Sequence, residues 1–134
     1  MNIFEKFYEL VLEESPHESN QIWYHGSRNK YNSVSDMPDG HRGYFGTISK
    51  RVAKKFGPNL HIMTLKTNNI FDANDPLYAE HLDKLGDKVA HLNKLSGKQG
   101  QIDSAKAGRY PFYEDSQVIW ALQEMGFKGN YQIE

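Results

Sequence analysis

Two short segments carry the residue types best suited to holding a small polar ligand: Trp23-Tyr24-His25-Gly26-Ser27-Arg28 and Gly43-Tyr44-Phe45-Gly46. Each sets polar or aromatic side chains beside a glycine, where a missing Cβ lets a ligand approach the backbone. Both read as strand ends. The separation of His25 and Tyr44 suits neighbouring strands joined by a loop, so one cleft can be lined by both. Taken singly, His25 is a strand-end histidine bonded to a neighbour and Tyr44 is core packing; the pairing is what points to a ligand site.

The elements that must position these residues follow from periodicity. Residues 21–25 alternate as a strand, with Ile22 and Tyr24 on one face and Trp23 and His25 on the other. Residues 27–43 are rich in Asn, Ser, Asp, Pro and Gly and read as a loop long enough to serve a site. Residues 43–47 form the second strand. Ser49 then caps a helix reaching Gly57-Pro58, with Val52 and Phe56 toward the core and Lys50, Arg51, Lys54 and Lys55 on a solvated face.

Beyond it, residues 60–66 alternate as a strand and Ile70-Phe71-Asp72 packs back briefly. Asp75-Pro76 opens a helix through about Leu95, with Leu77, His81, Leu82, Leu85, Val89 and Leu92 at helical steps and Gly86 as its weak point. Residues 96–113, with three glycines, read as an irregular stretch bordering a cleft. Glu114 or Asp115 caps a helix through Met125, with Val118, Ile119, Leu122 and Met125 inward and Gly126 as its stop. Residues 127–134 close the chain as a turn and a short strand. At the other end, Ile3, Phe4, Phe7, Leu10 and Val11 recur at helical spacing, and Asn2 with Glu5 matches a capping box. Residues 2–14 are therefore expected to be an amphipathic helix packed on the sheet, ended by Ser15-Pro16.

A chain of 134 residues holds one domain, here residues 1–134, with residues 1–16 as the N-terminal helix and 21–134 as the core. Formal net charge is −1, so nothing draws the whole molecule to nucleic acid or to a membrane. Cysteine is absent, which excludes disulfides, thiol chemistry and Cys-ligated zinc and fits a cytoplasmic protein. The six histidines are scattered and make neither His-x-x-x-His nor His-Glu-x-x-His, so no metal is expected. A phosphate-binding Gly-rich loop before Lys-Ser/Thr and a Gly-x-Ser-x-Gly elbow are also missing, which sets aside NTP hydrolysis and serine hydrolases.

The run from Trp23 to Arg28, then Gly43-Tyr44-Phe45, then Ile48-Ser49-Lys50 with Ala53, resembles the NAD-binding half of the ADP-ribosyltransferase fold. The likeness is to the poly-ADP-ribose polymerase and diphtheria-toxin branch with its His-Tyr-Glu motif. It covers residues 21–56 well and the remainder in outline. The resemblance implies an α+β domain with a split, mainly antiparallel sheet, surrounding helices and an NAD cleft. It implies that His25 holds the adenosine-side ribose, that Gly26 offers backbone groups to the nicotinamide amide, and that Tyr44 packs on the nicotinamide. Tyr24, Ser27, Arg28 and Phe45 flank that site, and Phe56 adds to the aromatic wall.

The third position of the motif needs a carboxylate to stabilise a cation-like ribose. The late-strand alignment through Gly129-Asn130-Tyr131-Gln132 offers Tyr131 or Gln132 instead, with Glu134 at the chain's last position. Asp115, a helix-starting acid ahead of Gly126-Phe127-Lys128-Gly129, resembles the corresponding acid in small phage-associated, anti-CRISPR-like transferases. Among Asp115, Glu114 and Glu134, Asp115 is the expected acid; its simpler role is a helix cap. The expected function is NAD-dependent ADP-ribosylation of a macromolecular, protein target, in a host-modifying or counter-defence setting. The alternative is a transferase-fold protein without turnover, acting as a binding inhibitor or NAD sensor.

Overall fold

Several segments rich in aromatic and β-branched residues pair into one sheet, and most of the other described residues coil into helices, the larger of them around one end of it. The computed structural model describes residues 3–7, 12–14, 22–32, 44–65, 69–92 and 97–133. The strands are β1 (Ile3–Phe7), β2 (Leu12–Glu14), β3 (Trp23–Ser27), β4 (Tyr44–Thr47), β5 (Asn59–Leu65), β6 (Ile70–Phe71) and β7 (Gly129–Ile133). The helices are α1 (Lys50–Lys54), α2 (Ala79–Leu92), α3 (Lys98–Ala107), α4 (Tyr110–Tyr113) and α5 (Ser116–Glu124), with a 3-10 turn at Pro76–Tyr78 leading into α2. The strand order is β2-β5-β3-β4-β1-β7-β6. Every pairing is antiparallel except β6 with β7. This is a mixed α/β domain with a mostly antiparallel sheet.

The N-terminal segment overturns the expected helix. Residues 3–7 are a central strand, Phe4 pairing with Thr47 on one side and Gln132 on the other. Residues 12–14 form the edge strand against β5. Ile and Phe favour strands as readily as helices, and a strand between β4 and β7 also satisfies the facing edges of both, which a helix packed on the sheet would leave unpaired. The rest of the expected helix lies outside the described residues.

Residues 96–113 are the second correction. Most of that stretch is helical, because two of its glycines punctuate rather than interrupt. Gly97 stands at the N-cap of α3, and Gly108 ends it in the left-handed conformation at φ 70°. A third difference is Leu77, which is 75% exposed. The 3-10 turn shifts the helical phase there, and Tyr78 packs inward on Phe71 and Phe127 instead.

Other expectations hold. Ser49 caps α1 by accepting from the Val52 N–H, Asp75 caps the 3-10 turn through the Leu77 N–H, and Gly126 stops α5 with φ 91°. The core gathers Phe71, Leu82, Leu85, Val89, Ala105, Tyr113, Val118, Leu122 and Phe127 between the helices and the β6–β7 end of the sheet. α1 sits apart from it, packed on β3, β4 and β5. Among the described residues no helix is long and apolar enough to cross a membrane.

Candidate functional site

β3 pairs with β5 along its whole length but with β4 at one position, Tyr24 with Thr47. Beyond that pair the two strands part, and His25 bridges the opening. Its Nδ1 lies 2.8 Å from the Phe45 carbonyl oxygen. A carbonyl only accepts, so Nδ1 carries the proton and the lone pair of the neutral ring resides on Nε2. A side chain thus supplies the hydrogen bond that the sheet ladder lacks at this point.

Around that ring the structure assembles an aromatic strip. His25 and Phe45 have centroids 4.7 Å apart, and Phe45 meets Phe56 at 4.6 Å. On the other side His61, the register partner of His25 on β5, lies 6.1 Å away, and Tyr31 continues the row at 5.8 Å from His61. Ser27 Oγ donates to the Asn29 carbonyl. Its one proton is spent there, so the longer contact of 3.4 Å with His61 Nε2 requires the histidine to donate. Phe56, expected to face the core, is 45% exposed. α1 ends at Lys54, and the turn through Gly57 carries the ring off the helix's buried side and onto Phe45.

The other sequence-derived candidates divide. His25, Ser27, Phe45 and Phe56 come together. Tyr24 and Gly26 belong to the opposite face of β3, beneath α1: Lys50 Nζ lies 5.7 Å over the Tyr24 ring, and Gly26 abuts the Ala53 backbone. Arg28 is exposed, its carbonyl accepting from Asn59 Nδ2 at 3.0 Å. Tyr44 is half-buried on β4 and makes no ring contact or hydrogen bond with His25. Its neighbour Phe45 is the β4 aromatic that reaches the histidine.

Asp115 lies at the head of α5, which packs on α2 and α4 rather than on β3 or β4. Its carboxylate accepts from the Gln117 N–H at 2.8 Å, the bond of a helix cap. Glu114 is half-buried beside it, and Glu134 lies outside the described residues. The late-strand position is held by Tyr131, whose ring lies 6.3 Å from Trp23 although β4 and β1 intervene. Three strand spacings of about 4.8 Å separate β3 from β7, so the two rings lean across the intervening strands to meet. The face of Trp23 and His25 therefore continues to β7.

His61 and Tyr31 were missed in the sequence. His61 sits in an alternating strand that signals burial, and only the register with β3 sets it beside His25. Among the described residues no group of three or more His, Asp or Glu side chains is arranged to hold a metal ion. Comparison with family models, with curated proteins and with solved structures finds no match for this chain.

Proposed function

We propose that the chain is an NAD-dependent ADP-ribosyltransferase that holds NAD along the strip centred on His25 and transfers ADP-ribose to a protein target. The observation that carries this reading is the pinned histidine. The Nδ1–H bond to the Phe45 carbonyl fixes the ring's orientation, and in that neutral tautomer Nε2 is the nitrogen of accepting character, the polarity that a ribose hydroxyl requires. Phe45 and Phe56 add flat faces against which nicotinamide or adenine stacks. Phe45 takes the wall position that the family likeness assigns to Tyr44. The single-pair seam between β3 and β4 is compatible with the split sheet of that fold.

In the reaction the bond from the ribose C1′ to the nicotinamide nitrogen breaks, and its electron pair neutralises the pyridinium. The ribosyl cation is then captured by a nucleophile of the acceptor, which gives up a proton. A carboxylate near C1′ stabilises that cation. The backbone register pairs Glu5 with Gly46 on β4 and with Tyr131 on β7, which makes it a second acid to test beside Asp115.

One observation favours a second reading, a binding inhibitor or NAD sensor without turnover: the Asp115 carboxylate is engaged in capping. The phage counter-defence setting rests on the pattern that joins Asp115 to Gly126-Phe127-Lys128-Gly129. The deciding experiment is labelled NAD in a host lysate with the wild type and the His25→Ala, Glu5→Gln and Asp115→Asn variants. A labelled band lost in His25→Ala supports the transferase, and the acid variant that also loses it identifies the acid. Released nicotinamide without a band means glycohydrolase chemistry. NAD bound but not cleaved leaves the sensor, and NAD neither bound nor cleaved leaves the inhibitor.

A further inference from the structure

A cavity of about 380 Å³ lies at the far end of the sheet from His25, lined by Asp72, Ala73, Asn74, Ala105, Gly108, Tyr113 and Tyr131. That volume is within the range of small-molecule sites, roughly 300–1,000 Å³. The space exists because three lining positions are Ala or Gly, where larger side chains would have closed it. Two tyrosine rings wall it.

Its electrostatics are one-sided. Asp72 Oδ1 accepts from the Asn74 backbone N–H at 2.9 Å, and among the described residues no Lys, Arg or His pairs with this carboxylate. The C-terminal end of α3, where a helix is partially negative, opens on the same space. Tyr113 donates its hydroxyl to the Ala105 carbonyl at 2.8 Å, and Asn74 Nδ2 donates to the Lys106 carbonyl at 3.0 Å. Lys106 itself is exposed. The Tyr113 phenol is held protonated, its pKa pushed up by burial and by the Asp72 charge, so the tyrosine adds no negative charge of its own. One carboxylate is too few for a metal ion, whereas an organic cation asks for one carboxylate and aromatic walls.

We infer that this cavity is a binding site for a small organic cation, an ammonium or amidinium group on a ring-sized body, with the charged head on Asp72 and the body between Tyr113 and Tyr131. The inference is independent of the reading of the His25 strip.

Three probes of one shape and different charge test it: benzamidine, benzamide and benzoate. Tyr131 lies against Trp23, so Trp23 emission reports occupancy once Trp120, half-exposed on α5, is replaced by Phe. Amide shifts of Ala73 and Gly108 give a second readout. The expected result is saturable benzamidine binding at those amides, at least about tenfold weaker with benzamide and in Asp72→Asn, and none with benzoate. Asp72→Asn keeps an oxygen for the Asn74 N–H, and unchanged melting shows that its fold is intact. Ala73→Leu, which fills the space from another side, is expected to abolish binding as well. Equal binding of all three probes, undiminished benzamidine binding in Asp72→Asn, or no saturation with the intact protein would overturn the assignment.

Discussion

A Cβ built on Gly26 would stand 1.7 Å from the carbonyl oxygen of Ala53, so β3 and α1 touch backbone to backbone. The glycine that reads in the sequence as an opening for a ligand is closed over by the protein's own helix. Gly57 repeats the arrangement from the other side, its missing Cβ 2.1 Å from the Ser27 carbonyl carbon. These two close approaches set the height of α1 over the sheet and hence the place of Phe56.

Gly26→Ala is therefore a stability variant. Overpacking against backbone, which cannot swing aside as a side chain can, is expected to cost about 3 kcal/mol or more. Urea unfolding measures it. A Gly26→Ala protein as stable as the wild type would mean that α1 does not rest on β3, and the position of Phe56 would have to be revised with it.

The aromatic strip makes a comparison between adjacent residues. Phe45 packs its ring on both His25 and Phe56, whereas Tyr44 forms no ring pair with either among the described residues. Loss of a stacking ring costs about 1–3 kcal/mol per base. Phe45→Leu is expected to weaken NAD binding by tenfold or more in calorimetry, with Tyr44→Leu near the wild type. The reverse order would return the nicotinamide wall to Tyr44.

What could be read in the sequence was local chemistry. Ser49, Asp75, Asp115 and Gly126 each announce a helix boundary through a side-chain acceptor or a permissive φ, and the folded chain uses them so. What could not be read was set by partners distant in the chain. Ile3, Phe4 and Phe7 satisfy a helical and an extended pattern alike, and pairing with β4 and β7 decides between them. That His25 and Ser27 belong to one cluster was legible because a short motif holds them. His61 and the cavity at Asp72 were not, since register and the Ala-Gly lining appear only once strands and helices meet.

Asp115 separates charge from capping. Asn caps a helix about as well as Asp, whereas Ala forfeits about 1 kcal/mol. Asp115→Ala is expected to lose that much in chemical denaturation, and Asp115→Asn only a few tenths. If both variants retain the transferase reaction, the acid lies elsewhere; loss of turnover in the stable Asp115→Asn protein would restore Asp115 to the reaction.

Gly86 tests how closely α2 and α3 pack. A Cβ there would meet Ile102 Cγ1 at 2.7 Å and the Lys98 side chain at 3.2 Å. Ala in place of Gly gains about 1 kcal/mol of helix propensity, while crowding costs about 1–3 kcal/mol. Gly86→Ala alone is expected to be neutral to destabilising. Joined to Ile102→Ala, which removes that Cγ1, the double variant should be more stable than the sum of the two single changes by at least 0.5 kcal/mol, roughly the lower bound for residues in contact. Strict additivity in melting measurements would place the helices farther apart.

Alkaline pH should find the helical layer first. Burial and the Asp72 charge raise the Tyr113 pKa above its ordinary value of about 10, and the hydrogen bonds that Lys98 donates to Asp83 and Asp87 raise its own. Both groups hold their protons more tightly folded than unfolded. Their contribution is therefore complete below about pH 10 and declines as pH rises from the unfolded values toward the folded ones. The exposed Lys98 pair is screened by solvent and adds little, so the decline belongs mainly to Tyr113. Tyr113→Phe forfeits the bond to the Ala105 carbonyl, about 1 kcal/mol at neutral pH, but has no proton to lose. Melting temperatures between about pH 8 and 11 should fall more steeply for the wild type than for Tyr113→Phe, and the two curves should converge. Parallel curves would mean that Tyr113 titrates alike in both states and is not sealed beneath α3.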